Sequence, residues 1–146
     1  MCENSKGLLA LIGRILICAI FLSSALINKI PNFSKVADYM AQNGIPFPKM
    51  ALSVAIVLLV VGSISVVIGY RARIGATLLL VFLIAATFYF HDFWNDTSEG
   101  ARVQQIMFMK NLSMAGTMLL VIAMGSGPWS LDDCCNSKGA CGPKDS

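Results

Sequence analysis

A charged side chain is costly inside hydrocarbon, so the polar residues set within the long apolar runs of this sequence are where chemistry is to be sought. Arg14 stands about two turns inside the first run, on one helical face with Leu11, Cys18, Phe21, Ala25 and Asn28. Three readings fit its guanidinium. It is a side chain snorkelling to the headgroups, an inward cation holding an anionic or carbonyl ligand, or an anchor hydrogen-bonded to carbonyls. No Asp or Glu lies in any of the runs, so its partner is a hydroxyl, a carbonyl, a lipid phosphate or a bound molecule. Lys110 and Asn111 lie one turn into the last run, and Lys110, Ser113 and Thr117 form a polar stripe at helical spacing. Snorkelling, ligand contact and close helix approach through Ser113, Gly116 and Thr117 all fit that stripe. His91, the only histidine, ends the third run in the sequence His91-Asp92-Phe93-Trp94, on the face of Lys29 and Lys110. It is either an acid or base titrating near neutral pH beside Asp92, or an interfacial hydrogen-bonding group. Arg14, Lys29, His91, Lys110 and Asn111 are therefore the candidate ligand contacts, and no catalytic residue is assigned.

The cysteines divide by position. Cys18 falls inside the first run, where a small hydrophobe packs well, whereas Cys2, Cys134, Cys135 and Cys141 are terminal. Cys134, Cys135 and Cys141 match no standard zinc spacing, yet thiolates on a polar tail can capture a soft metal such as Cu(I), Zn or Hg. Thiol exchange is the equal alternative, favoured slightly by Lys138 nearby, and no specific role is the plainest one.

Those side chains need a scaffold, and composition says which kind. Of 146 residues 56% are hydrophobic and only 13% charged, more apolar surface than a soluble domain of this length can hide. Four runs, from Leu8 to Ile27, Met50 to Ile68, Ile74 to Phe90 and Ile106 to Met124, approach or reach the roughly 20 helical residues that cross about 30 Å of hydrocarbon. None alternates with the period of a barrel strand, so the fold class is all-α, a bundle of four transmembrane helices. The first run has the charged start and small-residue end of a signal peptide, but its length, Arg14 and its continuation into Ile27 favour a span.

Between the first two spans, Ser34 offers an N-cap, Val36, Ala37, Tyr39, Met40 and Ala41 give a partly apolar face, and Gly44, Pro46 and Pro48 stop the helix. That pattern predicts a short interfacial amphipathic helix. Residues 1–132 form the membrane domain and 133–146 a flexible cysteine-containing tail. Arg71 and Arg73 in the tight turn between the second and third spans place both termini in the cytoplasm. The net charge of +3 is scattered and calls for no nucleic acid, only a lipid bilayer.

Read in order, these residues resemble the DoxX family of small bacterial membrane proteins. The likeness runs through Arg14, Ser24-Ala25, Asn28-Lys29, Gly44-Ile45-Pro46, Gly62, Gly69, His91-Asp92-Phe93-Trp94, Phe108-Met109-Lys110-Asn111-Leu112 and Gly127-Pro128-Trp129-Ser130-Leu131-Asp132. It covers about Gly7 to Asp132. The resemblance implies a four-helix bundle in the bacterial inner membrane. It also implies a membrane component of a thiol or quinone redox or oxidative-stress system, with a quinone as ligand and a membrane or periplasmic redox protein as partner. Relatives often carry a carboxylate a turn before the second-span glycine, whereas Val57-Leu58-Leu59-Val60-Val61-Gly62 is wholly apolar, which makes a proton relay there less fitting. Enzyme status is left open, since no haem ligand pair, flavin fingerprint or Cys-x-x-Cys is present. The rival functions are a non-catalytic scaffold or assembly factor and a small-solute or soft-metal carrier.

Overall fold

A computed structural model describes residues 3–90 and 101–134. Within them the chain is helical with no strand, and four helices are long and apolar enough to cross a membrane. Helix α1 covers Glu3–Ser23 and runs directly into a π-helical turn, Ser24–Lys29. The interfacial helix α2, Phe33–Gln42, follows, then α3, Pro48–Ile68, α4, Ala72–Phe90, and α5, Ala101–Met124.

The helix ends follow from local chemistry. Pro48 occupies the first turn of α3, where a missing N–H costs nothing. At the other end Gly69 takes a left-handed φ of 72°, and the N–H groups of Gly69 and Tyr70 both donate to the Ser65 carbonyl. Helix α2 begins at Phe33 after Asn32, two residues earlier than Ser34 as N-cap implies, and no side chain caps it. Gly44, at φ 74°, ends the stretch as its position predicts.

Helices α3 and α4 form the centre, with α1 and α2 packed on α3 and α5 on α4. The α3–α4 contact is close because glycines meet there. A Cβ on Gly62 would stand 2.9 Å from Leu79 Cγ and 3.0 Å from the Gly75 carbonyl, and one on Gly75 would stand 2.8 Å from the Gly62 carbonyl. Around that seam Cys18, Phe21, Ala25, Leu59, Val66, Ala76, Leu79, Leu83 and Met118 form the core. Large apolar side chains such as Leu16, Ile27 and Met124 are 69%, 73% and 78% exposed, the arrangement expected of a surface solvated by acyl chains. A smaller cluster, Ala37, Met40 and Leu52, fastens α2 to α3, and the Tyr39 ring stacks on Phe90 at 5.6 Å between centroids. The bundle has two polar ends, described in turn below.

Candidate functional site

At the end carrying the α3–α4 turn, Arg14 is 5% exposed and its guanidinium meets main-chain oxygens. Its Nη2 donates to the Trp129 carbonyl at 2.6 Å and to the Pro128 carbonyl at 3.4 Å, and Nε reaches the Ala10 carbonyl at 3.4 Å. Of the readings that fit Arg14 in the sequence, the geometry is that of an anchor on carbonyls. The segment it holds is bent by left-handed residues at Gly125, Gly127 and Trp129. It lies so close that a Cβ on Gly7 would fall into the Trp129 ring, and one on Gly69 would fall onto the Arg14 guanidinium and Ser130.

The same segment caps α4. The Asp132 carboxylate accepts from the N–H of Arg71 at 3.0 Å and of Ala72 at 3.4 Å, while the Asp132 N–H donates to the Gly69 carbonyl. A carboxylate on the first N–H groups of a helix satisfies orphan donors and complements the helix dipole. Ser130 Oγ donates to the Gly127 carbonyl and accepts from the Asp133 N–H, closing a short turn that ends at Cys134. This end is thus a structural latch.

The opposite end holds a cavity of about 900 Å³, roofed by α2, walled by the π turn of α1 and by α5, and floored by α3 and α4. Its body is apolar, with Phe21, Leu52, Phe82, Leu83 and Met114 among the lining. Its polar groups are few: Ser24, Asn28, Lys29, Asn32, Lys35, Gln104 and Asn111, with the Tyr39 and Tyr89 hydroxyls. Lys29 Nζ donates to Ser24 Oγ at 2.7 Å and lies 5.4 Å from the centre of the Phe82 ring. That pairing depends on the π turn, whose i to i+5 repeat stacks residues 24 and 29; an α-helical continuation would carry them to different faces. Asn111, also in the lining, donates from Nδ2 to Thr87 Oγ1 at 3.0 Å, and the Thr87 hydroxyl donates to the Leu83 carbonyl.

The sequence candidates therefore separate. Lys29 and Asn111 line the cavity, Arg14 belongs to the latch at the far end, and Lys110 is exposed along a shallow groove of α5 between Gln105 and Ser113. His91, Cys135 and Cys141 lie outside the described residues; Cys134 is exposed at the end of the latch, and Cys18 is fully buried in the core. Among the described residues no group of three His, Cys, Asp or Glu is placed to hold a metal. Ser24, Phe82 and Thr87 are the contacts that candidate selection by charge leaves out. The oxygens that hold Arg14 are main-chain groups, which no side-chain pattern marks.

The DoxX family model matches residues 9–92, which span α1 to the end of α4 and include Lys29, Phe82 and Thr87. The chain is 33% identical over 128 residues to the inner membrane protein YphA of Escherichia coli, covering 88% of this chain and 91% of that protein. It is 31% identical to the inner membrane protein YqjF of the same organism, covering 88% and 92%. No solved structure matches it.

Proposed function

This chain belongs to the DoxX family, and from that premise we propose that it is the ligand-holding membrane component of a thiol or quinone redox or oxidative-stress system. It is a multi-pass protein of the inner membrane. The observation that carries the reading is the cavity beneath α2, apolar in its body with a cation and amides gathered at its rim. Pockets of about 300 to 1,000 Å³ with apolar walls and a few convergent polar groups are the usual form of a small-molecule site. A quinone, or another small carbonyl compound, has the complementary shape. Its flat apolar ring fits among Phe21, Phe82 and Met114, and its carbonyl oxygens accept from the donors Lys29 and Asn111. Electrons would then be carried by the bound molecule and exchanged with a membrane or periplasmic redox partner.

The test is binding of a short-chain ubiquinone to the purified protein in nanodiscs, with thiol and quinone turnover followed in membranes with and without the protein. Saturable binding that weakens at least tenfold in a Lys29→Met, Asn111→Leu double variant is expected. No binding, together with unchanged turnover, sinks the reading.

A further inference from the structure

We propose that the head group this cavity takes is negatively charged: an oxyanion, whether enolate, carboxylate or phosphate, on a single apolar body. The inference rests on the cavity being the ligand site and adds the sign of the ligand's charge.

Lys29 carries it. An ammonium has three N–H donors and no acceptor, and Ser24 Oγ engages one of them. The Phe82 face attracts the charge without neutralising it. Among the described residues no carboxylate stands against Lys29, and its ammonium, with donors beyond the one that Ser24 engages, borders a half-buried, apolar space. Lys35 brings a second ammonium to the rim from α2. The described lining contains these two lysines and no Asp or Glu.

Two of the neutral amides are already partly engaged, and the cations are the strongest recognition elements of the lining. Asn111 donates to Thr87, and Asn32 Nδ2 donates to the Asn28 carbonyl. A neutral carbonyl could accept a hydrogen bond from Lys29 but would leave its charge uncompensated in a low-dielectric site. An oxyanion satisfies both the donors and the charge, in the stronger, charge-assisted form. The π turn is what fixes this cation in place, because it puts Ser24 under Lys29 and orients the ammonium before any ligand arrives.

Two pairs of probes, each matched in shape and differing in charge at neutral pH, test the sign directly. A 2-hydroxy-3-alkyl-1,4-naphthoquinone, which ionises at its enol, is compared with its methyl ether, and oleate with methyl oleate. Binding is measured by calorimetry on the full chain in nanodiscs of zwitterionic lipid. The acidic member of at least one pair should bind at least tenfold tighter than its neutral partner. That preference should fall below threefold in Lys29→Met and persist in Lys29→Arg, which keeps the charge and so separates recognition from a folding defect. It should also persist in Lys110→Met, whose cation lies outside the cavity. Preference in the naphthoquinone pair alone points to a quinone-like ligand, and in the oleate pair alone to a lipid acid. Equal binding within both pairs overturns the charge assignment and leaves the cavity as a ligand site. Preference that survives Lys29→Met also overturns it. If no probe binds the unaltered protein, the charge assignment and the cavity reading fall together.

Discussion

Arg14 and Lys29 are both cations in the first span, and their surroundings give them different work. The Arg14 fork is planar and rigid, and it closes on the carbonyls of Pro128 and Trp129, which lie more than a hundred residues away in sequence. Lys29 is a point charge on a flexible stem, held by one hydroxyl and one ring, with donors still available. Replacing Arg14 by Met removes charge-assisted hydrogen bonds worth about 1.5–3 kcal/mol each and releases the closing segment. The expected result is a lower unfolding temperature in detergent, with ligand binding at the opposite end retained. An unfolding temperature unchanged from the parent would show that the segment is held by other contacts. Asp132→Ala removes the carboxylate that caps α4 and should cost about 0.5–2 kcal/mol in the same unfolding measurement. The side-chain types at these positions were legible as polar groups in need of partners. Which partner each would find was not, because the oxygens around Arg14 are main-chain atoms and the Asp132 cap is brought in across the fold.

Among the elements, the three later spans and the interfacial helix were legible from apolar length and from the punctuation of Gly44, Pro48 and Gly69. The end of the first span was not. Apolar length marks a helix to Ile27 but carries no sign of a π turn, since the residues Ser24 to Lys29 suit an α-helix equally well in composition. The turn matters because it brings Ser24 and Lys29 together. The α3–α4 seam is a second property of elements rather than residues. Gly62→Val would push β-branched bulk into Leu79 and the Gly75 carbonyl, so a loss of about 1–3 kcal/mol or more is expected. Thermal unfolding should show this loss, whereas Gly116→Ala, where a Cβ meets nothing within 4 Å, should leave it almost unchanged. Equal effects of the two substitutions would remove close approach as the reason for the seam.

For the whole molecule, the latch and the cavity sit at opposite ends of one bundle, so orientation decides which compartment each faces. Arg71 and Arg73 in the turn beside the latch lead us to propose that this end is cytoplasmic, together with both termini. The cavity then opens near the periplasmic side, where a periplasmic redox partner could reach it. A reporter fused after Ser146 and active only outside the cytoplasm would reverse that arrangement. The amino-acid sequence by itself determined the bilayer as solvent, the helical class and the family, because each depends on composition, apolar run length and ordered motifs that need no knowledge of contacts. Only the tertiary structure decided that the candidate cations do not converge. Helix packing turns Lys29 and Asn111 toward a common space, Lys110 outward, and Arg14 into a latch at the far end. Residues sharing a helical face share a site only if they also share a depth in the bundle and face the same neighbour, and those conditions arise from packing.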